Sequence, residues 1–334
     1  MSRIGFAGVA HMHSHGYAHA LGSAVSGVWD ADSDRAQAFS QRFGVPVADS
    51  LESLAEVSDG IIVTSENTSH VPIIRELAQF VKPILCEKPL VTSEDEAQDL
   101  ISIIADTGVQ IMTAFPCRYS PAFLSLKAKI SDLGRIRAIC ATNRGRCPGD
   151  WFVQKDKSGG GAMIDHVVHV SDLLRCLLGE EACRVQAQTG NRIHEQEWED
   201  TAMLSIEFPS GIFATLDSSW SRHANFKTWG DVTMNVVGEN GTIELDLFSQ
   251  TLEVYSASGH QASGYGSDID AGLVSDFLEV VRGHIPPPIT AFDGIQAARI
   301  AFAGYRSASE NCVISLENGV FVSLVGTITN IATY

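Results

Sequence analysis

Through the first 115 residues short apolar runs alternate with polar segments of helical spacing, and no other feature restricts the fold as tightly. Strands that alternate with helices must run parallel, because each crossover consumes a helix, and the helices then cover both faces of one sheet. The runs Arg3 to Val9, Val25 to Trp29, Gly60 to Val63, Pro83 to Cys86 and Gln110 to Ala114 predict the strands. Asp34 to Phe43, His70 to Phe80 and Ser93 to Ala105 carry apolar residues at helical spacing. Thr92-Ser93-Glu94-Asp95-Glu96 supplies a cap and acidic residues for a helix N-terminus, while Gly44 and Gly108 stand where helices end.

After about residue 120 the pattern changes. A helix is expected from Pro121 to Ser131, a strand from Arg135 to Thr142, an irregular stretch from Asn143 to Gly149, and a second helix after Gly159-Gly160-Gly161. Between Val185 and Tyr255 partly alternating segments are separated by turn residues, including Pro209-Ser210-Gly211 and Gly238-Glu239-Asn240-Gly241, which predicts antiparallel hairpins. Two late helices, Asp268 to Val281 and Gly294 to Ser309, flank Pro286-Pro287-Pro288. The fold class is therefore α/β: a doubly wound parallel sheet in residues 1–120, an α/β domain with a large, open, mainly antiparallel sheet in 121–318, and a tail, 319–334, to which no structure is assigned.

Charge narrows the partners. Forty acidic residues stand against 23 basic ones, a net charge of −17, with no Lys/Arg block. Nucleic acid and anionic membranes both demand clustered positive charge, so neither is an expected partner. An anionic ligand must then be held by a local device such as a helix N-terminus. The seven cysteines include no CxxC pair, no apolar run is long enough to cross a bilayer, and the N-terminus does not read as a leader; a cytoplasmic address is expected.

Gly8-Val9-Ala10-His11-Met12-His13 follows the first predicted strand, where a dinucleotide fold places its G-x-G-x-x-G turn. Asp30, about 20 residues on, stands where such folds carry the acid that binds the adenosine ribose and disfavours a 2′-phosphate, so NAD is expected before NADP. Only the first glycine is kept: Ala10 is small enough for close approach, whereas His13 is bulky. By itself the motif fits a nucleotide turn or a plain strand-turn-helix. A rival lies in the same residues, since His11-Met12-His13 resembles the H-x-H that chelates zinc in barrel hydrolases. The chain does not supply the eight βα units of such a barrel.

Two further motifs stand out: Cys86-Glu87-Lys88-Pro89-Leu90, directly after an apolar strand, and Gly159-Gly160-Gly161-Ala162-Met163-Ile164-Asp165-His166-Val167-Val168-His169. With Asn67-Thr68-Ser69-His70 and Arg118-Tyr119-Ser120-Pro121 they resemble, in order and spacing, the glucose-fructose oxidoreductase / inositol dehydrogenase / rhizopine catabolism (Gfo/Idh/MocA) family over roughly residues 3–316. The resemblance implies an NAD(P)-dependent oxidoreductase acting on a secondary alcohol or ketone of a sugar or polyol, with Lys88, Asp165 and His169 catalytic and no metal required. It also implies cofactor contacts from Gly8, Ala10, His11, His13, Asp30, Asn67, Glu87, Lys88 and Arg118. Substrate contacts are expected from Lys88, Tyr119, Trp151, Asp165, His166 and His169.

The spacing makes chemical sense on its own. Asp165 and His169 are four apart on a predicted helix and share a face. A histidine beside a carboxylate is a competent base for a hydroxyl, and a lysine can hold the same oxygen as it becomes a carbonyl. His166, His169 and Asp172 also form a stripe with metal-ligand spacing. Arg144 and Arg146 would overhang the site and suit an anionic or sugar-like substrate, and Trp220, His223 or Trp229 would line it. A binding protein that keeps the fold without turnover is the second class considered. A broad sheet with one uncovered face suits a homodimer or homotetramer.

Overall fold

The computed structural model describes residues 2–256, 259–264 and 266–316, so the tail expected from 319 lies outside it. Strands β1 (Ile4–Ala7), β2 (Val25–Trp29), β3 (Gly60–Val63), β4 (Ile84–Cys86) and β5 (Ile111–Thr113) form an all-parallel sheet in the order β2-β1-β3-β4-β5. Val47 adds a parallel bridge beyond β2, so a sixth strand of a dinucleotide-type sheet is reduced to one residue. The strand order reverses between β1 and β3, and the crest at that point is where open α/β sheets bind ligands.

Helices α1 (His13–Leu21), α2 (Ser33–Phe43), α3 (Leu51–Val57), α4 (His70–Ala78) and α5 (Glu94–Thr107) wind around this sheet. Gly44 and Gly108 end α2 and α5 in the left-handed conformation, and the Ser93 side chain accepts from the Glu96 N–H, as the capping pattern predicts. Two helices had no sequence signal strong enough to name them. In α1 the buried residues Ser14, Tyr17, Ala18 and Leu21 have helical spacing but are interspersed with histidines; α3 is seven residues long and is held by a Ser50/Ser53 capping box.

Beyond β5 come α6 (Pro121–Lys129), β6 (Ile136–Gly145), α7 (Lys155–Ser158), α8 (Ala162–Leu178), β7 (Arg184–Gly190), β8 (Thr201–Glu207), β9 (Phe213–Ser219), β10 (Gly230–Gly238) and β11 (Gly241–Asp246). The hairpin of β12 (Thr251–Ser256) and β13 (Gly259–Gly264) follows, then α9 (Ile269–Val281), α10 (Ala291–Glu310) and β14 (Ile314–Ser315). The second sheet runs β11-β10-β6-β9-β8-β7-β14, antiparallel except for β6 beside β9. Strand β6 continues to Gly145, through the first part of the stretch expected to be irregular, because Asn143 and Arg144 pair with β10 on one side and β9 on the other.

Alternation along the strands divides this sheet's faces. Ala202, Leu204 and Ile206 of β8 and Ala214 and Leu216 of β9 pack under α8 and α10, while Met203 and Phe213 point outward and are exposed. The two helices approach so closely that a Cβ on Gly304 would lie 2.8 Å from Met163 Sδ. The chain also returns to the first unit: Leu273, Val274, Phe277 and Val280 of α9, with Ile295, Ala297 and Ala298 of α10, join the core under the parallel sheet. The first core is therefore not closed at residue 120, since α9 and the start of α10 complete it. Among the described residues no helix is long and apolar enough to cross a membrane.

The N-terminus of α8 is held from a distance. Glu199 Oε1 accepts from the N–H groups of Gly161 (2.9 Å) and Met163 (3.0 Å) and from the Tyr305 hydroxyl (2.6 Å), and the Glu199 carbonyl accepts from Ala162 N–H. Glu199→Ala leaves two helix-end donors and a mostly buried hydroxyl unpaired, so a loss of about 1–3 kcal/mol is expected in urea unfolding, with Glu199→Gln retaining part of it.

Candidate functional site

At the end of β1 the chain turns through Gly8 at φ +77°, where an added Cβ would lie 2.5 Å from Ser65 Cβ; only glycine fits. Val9 N–H donates to Asp30 Oδ2 (2.7 Å), while Asp30 Oδ1 accepts from Asp32 N–H (2.8 Å) and Arg35 Nη2 (2.9 Å). Arg35 also reaches Glu66 (2.7 Å). These residues border a cavity of about 210 Å³ lined by Gly8, Asp30, Ser65, Glu66, Pro72 and Ile73. On the far side of the turn Asn67 donates to Ser158 O (2.8 Å), and its Oδ1 is buried without a partner among the described residues. A glycine cradle at the switch point, a cavity beside an acid at the end of β2, and an orphaned acceptor together fit a dinucleotide.

The histidines of the turn do not face that cavity. His13 Nδ1 lies 3.0 Å from Glu87 Oε1, at the end of β4; the Tyr17 hydroxyl donates to the same oxygen (2.6 Å), and His11 Nδ1 is 3.8 Å from it. Lys88 N–H donates to Glu87 Oε2 (3.1 Å). Burial pushes His11 down to about 3. For His13 burial works the same way but Glu87 outweighs it and the value is raised. Burial resists ionisation of Glu87, yet the two imidazoles and the Tyr17 hydroxyl hold its carboxyl far below the usual carboxylate range.

One residue further on, after which the Lys88–Pro89 peptide is cis, the Lys88 side chain crosses to α8. Its Nζ is buried and donates to Asp165 Oδ1 (2.8 Å) and to the Asp165 carbonyl (3.3 Å). Asp165 Oδ2 accepts from Trp220 Nε1 (3.1 Å) and lies 3.3 Å from His166 Nε2, whose Nδ1 meets the Asn143 carbonyl (2.9 Å). Burial would raise the Asp165 carboxyl, but Lys88 and His166 draw it well below its ordinary value. His169, one turn along, sits edge-on to Phe115 with Nδ1 4.0 Å from Cys117 Sγ; burial first, and then the Lys88 charge, lower it well below the ordinary histidine value. Asp165 thus grips Lys88, while burial and the Lys88 charge outweigh the pull of Asp165 and favour a neutral His169 imidazole. Lys88, Asp165, His166 and His169 line one cleft of about 510 Å³, with His11 and His13 on its other wall.

Several expected contacts are elsewhere. Arg118 lines neither cavity: it forms a two-pronged pair with Asp172 and reaches Asp293 at 3.2 Å. That pairing also removes Asp172 from the stripe with His166 and His169. The Tyr119 hydroxyl donates to Asp276 (2.8 Å) on α9, and Tyr119 does not line the cleft. Trp151 is buried, donates to the Ala10 carbonyl (3.2 Å) and stacks on Phe152, so Phe152 and not Trp151 reaches the cleft. Arg144 pairs with Asp231 (3.0 Å) and Arg146 bonds the Phe226 carbonyl, and neither lines the cleft. Trp220 holds Asp165, and of the suggested aromatics only Trp229 lines the cleft, while His223 is exposed. Sequence reasoning missed Asn143, whose Oδ1 is a buried acceptor in the cleft wall without a partner among the described residues, and Asp270, brought in by α9. An Asn inside a strand and an Asp in a helix's first turn give no sequence signal of such roles.

A buried ammonium whose only carboxylate partner is removed is costly, whereas removing both charges is not. Asp165→Leu is expected to lower stability by about 3–5 kcal/mol, and Lys88→Met with Asp165→Leu to recover most of that loss, as a double-mutant cycle in urea reads.

Residues 3–115 match a family model described as oxidoreductase family, NAD-binding Rossmann fold, and residues 124–244 match one described as GFO/IDH/MocA C-terminal domain. Inositol 2-dehydrogenase of Rhizobium meliloti is 24% identical over 330 residues, covering 94% of this chain and 98% of that protein. The scyllo-inositol 2-dehydrogenase (NAD(+)) of Bacillus subtilis is 27% identical over 275 residues, 78% of each chain. Among solved structures, GenD2 from gentamicin A biosynthesis in complex with NAD superposes with a TM-score of 0.84 at 24% identity, covering 95% of this chain and 97% of that one. Myo-inositol 2-dehydrogenase from Lactobacillus plantarum gives 0.81 at 20% identity, covering 95% and 99%.

Proposed function

The chain belongs to the GFO/IDH/MocA oxidoreductases, with an NAD-binding Rossmann domain, and on that premise we propose that it oxidises a secondary alcohol of a sugar or polyol, or reduces the corresponding ketone. The observation that carries this reading is the pairing of a neutral imidazole, His169, with a clamped ammonium, Lys88, on one cleft beside the dinucleotide turn. NAD bound at the Gly8 turn would supply the hydride acceptor. His169 takes the hydroxyl proton, and Lys88 donates a hydrogen bond to the oxygen as the carbonyl forms. Asp165 is the positioning residue: it fixes Lys88 Nζ and is itself fixed by Trp220. Asn67 Oδ1 and Asn143 Oδ1 supply buried acceptors, one on the cofactor side and one for a substrate hydroxyl.

An uncharged substrate suits the walls. Arg144 and Arg222 are both tied to Asp231, and the cleft also carries Asp246 and Asp270, so a phosphate or carboxylate would meet no unpaired arginine there. The relatives' names, inositol dehydrogenases among them, support a polyol. The seven cysteines are all free thiols, which suits the cytoplasm. The exposed outer face of the second sheet, with Met203 and Phe213, supports a homodimer or homotetramer.

Replacing His169 by Asn, or Lys88 by Ala, should lower kcat by about 10²–10⁴-fold in a polyol panel read at the NADH absorbance, while NAD affinity stays within a few fold. Since the base must be neutral and its value is depressed, kcat/KM for oxidation should hold through neutral pH and fall only in acid, below the ordinary histidine value of about 6.5. A profile that falls at or above that value would refute the assignment of His169. Three carboxylates, Asp30, Glu66 and Glu76, line the small cavity, and the neighbouring Arg35 is already engaged by Asp30 and Glu66. Calorimetry should therefore show NADP bound at least about tenfold more weakly than NAD, a difference of about 1.4 kcal/mol; equal affinities would contradict this reading of Asp30.

A further inference from the structure

The proposed hydride transfer assigns no chemical step to the cluster of His11, His13 and Glu87, beyond the hold of Glu87 on the Lys88 backbone. Among the described residues it is the one group of three or more His, Cys, Asp or Glu side chains whose ligand atoms gather closely enough to hold a metal, all within 4.8 Å of one another. We propose that these three residues bind a divalent transition-metal ion of the zinc kind at the wall of the cleft.

The ligand set is chemically suited: imidazole nitrogen with a carboxylate oxygen is a common donor set for zinc and its neighbours. Distances agree. With metal–ligand bonds of about 2.05 Å, tetrahedral ligands lie about 3.3 Å apart. His13 Nδ1 and His11 Nδ1 stand 3.0 and 3.8 Å from Glu87 Oε1, on either side of that value. The ion would replace the proton that His13 and Glu87 share and the 3.3 Å contact from His13 N–H to His11 Nδ1. Outer partners are in place, since the Tyr17 hydroxyl and the Lys88 N–H fix the two oxygens of Glu87. The entry path is the cleft: Glu87 and His11 are buried, His13 is half-buried, and both histidines line the opening. Three protein ligands with one side toward a cavity leave a coordination position free, as in sites that bind a water or an exogenous hydroxyl. The folding that assembles the cluster is local on one side, two histidines on one turn, and long-range on the other, β4 beside β1 across β3.

The test uses the full untagged chain, stripped with a chelator and dialysed against micromolar zinc chloride, with metal content read by mass spectrometry. About one zinc per chain is expected, falling to background in the variant carrying both His11→Asn and His13→Asn, and unchanged in a variant carrying His19→Asn and His284→Asn, both exposed. Tyr17→Phe keeps every ligand and should weaken zinc about 10–100-fold. Cobalt(II) in the wild-type chain should give the visible bands of a four- or five-coordinate ion, a readout that does not depend on any variant folding. Wild type that takes up no zinc, or zinc that survives loss of both histidines, overturns the proposal. So does zinc that is instead lost from a variant carrying His166→Asn and His169→Asn. None of these readouts depends on turnover, so the metal site and the oxidoreductase reading can fail separately.

Discussion

One buried ion pair joins the two halves of the molecule. Lys88 is delivered by the end of β4 in the parallel sheet, Asp165 by the first turn of α8 under the antiparallel sheet, and their contact is 2.8 Å long with both residues buried. A pair in that setting is rarely the cheapest way to fill a core, because desolvation of two charges offsets much of their attraction. Its value is geometric. The ammonium has one place to be, and that place is in the wall of the cleft, beside an imidazole that burial keeps neutral.

Much of the rest serves to hold those two ends still. Glu87 is tied to His13, Tyr17 and the Lys88 backbone on one side; on the other, Glu199 caps α8 and Trp220 braces Asp165. The returning helix α9 completes the first core and carries Asp276 to Tyr119 and Asp270 to the cleft. Charge is handled locally throughout. A net −17 would repel any anion, and Arg118, Arg144 and Arg222 are already paired with carboxylates, so a dinucleotide must rely on a local device at the crest of the first sheet and an uncharged substrate on neutral donors and acceptors.

What the sequence made legible follows from range. The five strands of the first sheet, the caps at Ser93, Gly44 and Gly108, and the helix after Gly161 are set by residues within a turn or two of each other, and they stand where spacing places them. Lys88, Asp165 and His169 were legible as chemistry because their motifs are local, and the structure gathers them. What was not legible depends on distant partners. Arg118, Tyr119, Trp151 and Arg144 look like ligand contacts until Asp172, Asp276, the Ala10 carbonyl and Asp231 arrive from elsewhere in the chain to engage them. The same holds for His13, an apparent flaw in a glycine turn, which is occupied by a glutamate 74 residues away.

The central claim is that Lys88 and His169 share one substrate oxygen, and the most direct test is a structure of the protein with NAD and a polyol that it oxidises. The account predicts the reacting oxygen within about 3.2 Å of both Lys88 Nζ and a ring nitrogen of His169. A productive complex in which that oxygen contacts neither group would contradict it.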